Sequence, residues 1–183
     1  MFTVFLELGY DHILDGYDHL LFLAGLIIVA TDWRSLFAVI TAFTVTHSTT
    51  LVLSALDIVW LDPVITETLI AASVAYVGIE NLVVKEQKYR WLVASGFGLI
   101  HGAGFSGHLT VLLKSMMDMG NIWEPLVGFN VGIELGQIVV IAISVPVIYG
   151  FRKLGKWDAL VPEFSRVIAA VGVFLVISRV WEM

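Results

Sequence analysis

Windows of about 20 mostly apolar residues, the length that crosses a hydrocarbon core of about 30 Å, recur along nearly the whole chain. Inside lipid every backbone polar group needs a partner within the protein. Segments this long and this few meet that need only as helices, since a barrel would require many alternating strands. About six spans follow, near 13–30, 33–56, 63–84, 91–114, 125–150 and 164–182, separated by polar or Pro/Gly-marked turns. The fold expected is all-α: a polytopic transmembrane helical bundle of about six spans, with residues 1–183 as a single transmembrane domain in a lipid bilayer. The 58% hydrophobic and 14% charged composition agrees, against about 25% charged residues in ordinary soluble domains. The first twelve residues carry acidic groups where a signal peptide is basic, so the first segment is expected to be retained.

Basic residues set the orientation. Arg34, Lys85, Lys88, Arg90, Arg152, Lys153, Lys156 and Arg166 share the side of the first, third and fifth connections, whereas Lys114 and Arg179 fall opposite. By the positive-inside rule the first side is cytoplasmic, which places both termini outside the cytoplasm. The outer face then holds Asp11, Asp15, Asp57, Asp62, Asp118 and Glu124. This acidic mouth would concentrate cations, or it simply fills the face that the basic residues leave.

A pattern repeats. Gly9, His12, His19 and Leu20 have the spacing of Gly98, His101, His108 and Leu109, and the two copies open spans running in opposite directions. Two halves of three helices would form a 3+3 inverted repeat, the arrangement in which transporters build a mid-membrane site.

Ionisable residues within spans are costly and mark functional positions by default. His19, His47, His101, His108, Glu67, Glu80 and Glu134 lie within the drawn spans, with His12 and Asp18 at the entrance of the first. At a rise of about 1.5 Å per residue, His19, His47, His101 and Glu134 share the middle of the bilayer, while His12 and His108 stand about 10 Å further out. Two layers of ligands are therefore expected, an outer pair and an inner group. Cysteine is absent, so a bound metal would take nitrogen, oxygen or thioether ligands. Imidazole with carboxylate suits a divalent transition metal ion, zinc or nickel above all. Asp18 and Asp15 could instead orient a ligand histidine by accepting its ring N–H. Ser48, Ser106, Asn130 and Gln137 add hydrogen-bonding groups. The bland alternative is that these polar residues join helices by interhelical hydrogen bonds, and that Asp11 and Asp15 cap a helix start. Met116, Met117 and Met119 could collect a soft ion or fill gaps in packing. Glu80 and Asn81 could form an exit step or pair with the basic loop that follows.

The segment H-x-x-x-G-x-D-H, here His12, Gly16, Asp18 and His19, resembles the first-helix signature of the HupE/UreJ integral membrane proteins. TAFTVTHSTTL (41–51), FGLIHGAGFS (97–106) and FNVGIELGQ (129–137) resemble later blocks of that family's second branch. The better-known branch has proline after the first histidine, where this chain has Ile13. The resemblance implies a bacterial cytoplasmic-membrane protein associated with nickel or cobalt permeation, with metal contact at His12, Asp18 and His19.

Two functions fit these residues. The first is a divalent cation permease using His12, Asp18, His19, His47, His101, His108 and Glu134. The second is an intramembrane zinc-dependent hydrolase, with Glu134 or Asp18 as general base and Ser48 beside His47. A closed set of ligands at one depth beside a lipid-accessible slot would favour the hydrolase, and separated layers along a polar path would favour the permease. No nucleotide-binding loop of the GxxxxGK[ST] type is present, and topology accounts for the basic residues, so neither nucleotide nor nucleic acid is an expected partner.

Overall fold

The computed structural model describes residues 1–30, 32–84, 88–104, 115 and 123–181. Seven helices and no strands occur among them: α1 (Phe2–Asp15), α2 (Tyr17–Ile27), α3 (Trp33–Ala55), α4 (Pro63–Val83), α5 (Arg90–Ala103), α6 (Trp123–Lys153) and α7 (Trp157–Trp181). Four of these, α3, α4, α6 and α7, are long and apolar enough to cross a membrane. They correspond to the second, third, fifth and sixth expected spans.

The helix starts follow local chemistry. Asp32 accepts the Ser35 amide at 2.8 Å and caps α3. Asp62 accepts the Val64 amide at 2.9 Å with Pro63 in the first turn of α4, where a missing N–H costs nothing. The first span differs from expectation. It is two helices, because Gly16 adopts an extended conformation (φ −76°, ψ 93°) that ends α1 and begins α2. Asp11 and Asp15 therefore lie in the last turns of α1 and cap no helix start, while Asp18 sits in the first turn of α2.

Three helix pairs build the body: α1 against α6, α3 against α5, and α4 against α7. Each has a seam where glycine lets backbones meet, the packing expected where no solvent drives helices together. On α6, Gly128, Gly132 and Gly136 lie against Phe2, Leu6 and Ile13 of α1 in the same order, so the two helices are parallel. Gly98 and Gly102 of α5 lie against the Phe43 and His47 carbonyls of α3, again in parallel. In the third pair Gly78 lies against Ala169 and Gly172 against Ala75, so α4 and α7 are antiparallel and their contact is reciprocal.

Two apolar clusters bracket the centre. Phe5, Ile13, Leu51, Phe129 and Ile133 form one. The other, built on Phe22, Leu26, Phe43, Val74, Val77 and Trp157, lies toward the C-terminal end of α2. There the exposed carbonyls of α2 and its following turn find side-chain donors. Gly25 O accepts from Asn81 (2.8 Å) and Arg90 (2.9 Å), Ile28 O from Trp157 (3.2 Å), and Ala30 O from Arg152 (2.9 Å). These bonds satisfy groups that a helix terminus would otherwise leave without partners.

Candidate metal centre

Between the two clusters, four histidines from four helices meet. His12 ends its ring 4.4 Å from that of His19, centroid to centroid, and 5.9 Å from that of His47. His19 is 6.4 Å from His47 and 4.9 Å from His101. Ligand atoms of His12, His19 and His47 all lie within 4.8 Å of one another. A tetrahedral ion with metal–nitrogen distances of about 2.0–2.1 Å places its nitrogens about 3.3 Å apart. Small side-chain rotations would therefore close the three imidazoles on one ion, and neutral imidazole is a suitable donor.

The expected separation of His12 and His19 by two helical turns does not occur. On a straight helix they would stand about 10 Å apart. The Gly16 break interrupts the helix, the two rings meet edge to face, and the outer and inner layers collapse into one at these positions. A Cβ at residue 16 would sit 2.7 Å from His19 Nδ1 and 2.8 Å from the His12 carbonyl, so the corner is also too tight for a larger residue. Aspartate followed by glycine is a turn signal that could have marked the break.

Each remaining candidate has a definite place, apart from His108, Ser106, Met116, Met117 and Met119, which lie outside the described residues. Asp18 accepts from the His19 ring at Nδ1 over 2.8 Å and from the His19 amide over 2.8 Å. It is thereby positioned as the partner that turns His19 Nε2 toward the cluster, in the manner of carboxylates behind metal-bound histidines. Glu134 stands apart from the imidazoles, on a groove of about 500 Å³ between α3 and α6. Thr44, Ser48 and Asn130 share that groove; Ser48 hydrogen-bonds to Asn130, and Thr44 donates to Gln137 at 3.1 Å. Glu80 pairs with Arg90 at 3.8 Å, at the end of the bundle where the basic residues gather. Glu67 pairs with Arg179 at 3.1 Å.

The site is closed to bulk water. His47 is 0% exposed, His101 1% and His19 8%. Below His19 a space of about 10 Å³, walled by Ile13, Phe22, Leu23, Leu26 and Phe43, is at the limit for a single water. Leu26 also lines a cavity of about 490 Å³ beyond it, which Asn81, Lys88 and Arg90 border. An apolar plug thus separates the histidines from a polar vestibule.

Sequence reasoning missed Ser73, whose hydroxyl lies 2.9 Å from His101 Nε2. Nothing in the flanking AASVAY sets this residue apart except a hydroxyl in mid-span.

The family model described as HupE / UreJ protein matches residues 1–183, the whole chain. Comparison with curated proteins and with solved structures finds no match.

Proposed function

The chain belongs to the HupE/UreJ family, and from that premise we propose that it is a divalent transition-metal permease whose ion-binding station is the histidine cluster. One observation carries this reading: His12, His19 and His47, from three helices, offer ligand atoms within 4.8 Å of one another inside the bundle. The family is associated with nickel and cobalt transport, and zinc suits the same donors. In this reading the ion enters from the acidic outer face, where Asp11 and Asp15 flank His12, and is held by the imidazoles. It then passes the Phe22, Leu26 and Phe43 plug into the vestibule beside Asn81 and Arg90. The closed plug suits a carrier that opens to one side at a time.

The proposed topology is six crossings with both termini outside the cytoplasm. The first crossing is the broken α1–α2 pair, and α5 begins the fourth. A 3+3 inverted repeat is supported by the helix pairing: first with fifth becomes fourth with second under the repeat, and third with sixth maps onto itself. The reciprocal Gly78–Ala169 and Gly172–Ala75 contact supports a twofold axis through one seam. AYVG (75–78) matches AAVG (169–172) at that seam, and FTV (43–45) matches FNV (129–131) where Gly98 and Gly9 make their close approaches.

A second reading is favoured by one feature. His12, His19 and His47 lie at one level, and the groove holding Ser48, Asn130 and Glu134 opens beside α3, as an intramembrane zinc hydrolase would require. Here zinc would supply a Lewis acid, and Glu134 would be the base facing an apolar substrate in the groove.

Elemental analysis and ion flux in proteoliposomes separate the readings. The permease predicts exchangeable Ni²⁺, Co²⁺ or Zn²⁺ and uptake that His19→Ala and His101→Ala abolish. Tightly retained zinc without flux would replace it with the hydrolase, and metal content unchanged in both variants would refute both.

A further inference from the structure

Two of the clustered histidines are held at opposite ring nitrogens. His19 is gripped at Nδ1 by the Asp18 carboxylate, which leaves Nε2 buried with no hydrogen-bond partner among the described residues. His101 is gripped at Nε2, by Ser73 Oγ at 2.9 Å, and its Nδ1 is buried without such a partner. The Ser73 hydroxyl has one proton, and that proton is committed: Oγ donates to the Ile70 carbonyl at 2.6 Å. Toward His101 the hydroxyl can therefore only accept, so Nε2 carries a ring proton and, in the neutral imidazole that a metal requires, Nδ1 presents a lone pair. A buried lone pair left unsatisfied is costly unless something uses it.

We propose that Ser73 is a positioning residue that locks His101 in the Nε2–H form, so that His101 Nδ1 serves as the next imidazole ligand an ion meets after the His12, His19 and His47 group. The ring of His101 packs between His19 (4.9 Å) and the plug residues Phe22 (5.3 Å) and Phe43 (5.2 Å), centroid to centroid. It therefore occupies the step between the three-imidazole group and the vestibule. Ser73 is 0% exposed and lies on α4, which packs against α5, the helix that carries His101. This role rests on the metal-binding reading of the site.

The test uses full-length, metal-free protein with ¹⁵N-labelled histidine; the chain has five histidines, so the ring signals are few. The His101 resonance, identified by its loss in His101→Gln, is expected to show a protonated Nε2 and a bare Nδ1. Ser73→Ala should release this single tautomer and weaken Co²⁺ binding, followed by its visible absorption, by about 10–100-fold. Ser73→Thr keeps a hydroxyl and should retain both properties. A wild-type His101 protonated at Nδ1, or a folded Ser73→Ala protein unchanged in tautomer and Co²⁺ affinity, would overturn the proposal. Should Ser73→Ala fail to fold, the wild-type tautomer and the Ser73→Thr protein decide it. Wild-type protein that shows the expected tautomer but binds no Co²⁺ would instead overturn the metal reading, and the ligand role with it.

Discussion

At the scale of residues, the proposed centre depends on how each imidazole is aimed. Asp18 contributes through His19: its carboxylate accepts a hydrogen bond from Nδ1–H and leaves Nε2 to face the cluster. Asp18→Asn should therefore weaken divalent-cation binding by about 10–100-fold while the protein remains folded, as isothermal titration with Zn²⁺ would measure. His47→Ala removes a wholly buried ring that no other side chain replaces, and it should lower affinity further than Asp18→Asn does. That His19, His47 and His101 come together was partly legible from helical rise, because each counts to the middle of the bilayer from its own end. Glu134 counts to that depth as well but faces the groove beside α3, since depth fixes height and not azimuth. Ser73 was invisible because a lone hydroxyl within an apolar helix is ordinary.

At the scale of elements, the decisive feature is the corner at Gly16. A continuous helix through residue 16 would return His12 and His19 to a separation of about 10 Å. Gly16→Leu favours helix and cannot fit against His19 and the His12 carbonyl, so it should reduce Zn²⁺ affinity more than tenfold with helical content by circular dichroism unchanged. The seams make a different prediction. Gly132→Val pushes methyl groups into the α1 backbone and should lower the thermal unfolding midpoint in detergent, at a cost of roughly 1–3 kcal/mol. Existence and rough extent of α3, α4, α6 and α7 followed from hydropathy and from the polar or Pro/Gly-marked turns between spans. The broken first span did not, because an apolar window records how much chain lies in lipid and not whether its axis bends.

At the scale of the whole molecule, three glycine seams join helices remote in sequence, and the histidines of α1, α2, α3 and α5 converge because those seams fix how the helices stand. Parallel α1 and α6, parallel α3 and α5, and antiparallel α4 and α7 are the relations that the proposed six crossings require. The chain has no cysteine, so single-cysteine labelling needs no background removal. Asp57→Cys should react with an impermeant maleimide on intact cells, and Lys88→Cys only after permeabilisation; the reverse pattern would invert the topology. The most direct measurement of the central claim, that imidazoles from separate crossings close on one cation, is X-ray absorption at the metal edge of Zn²⁺-loaded protein. At least three imidazole nitrogens at about 2.0–2.1 Å are predicted, with one fewer in His47→Ala. A shell of oxygen alone, or an identical shell in wild type and His47→Ala, would contradict it.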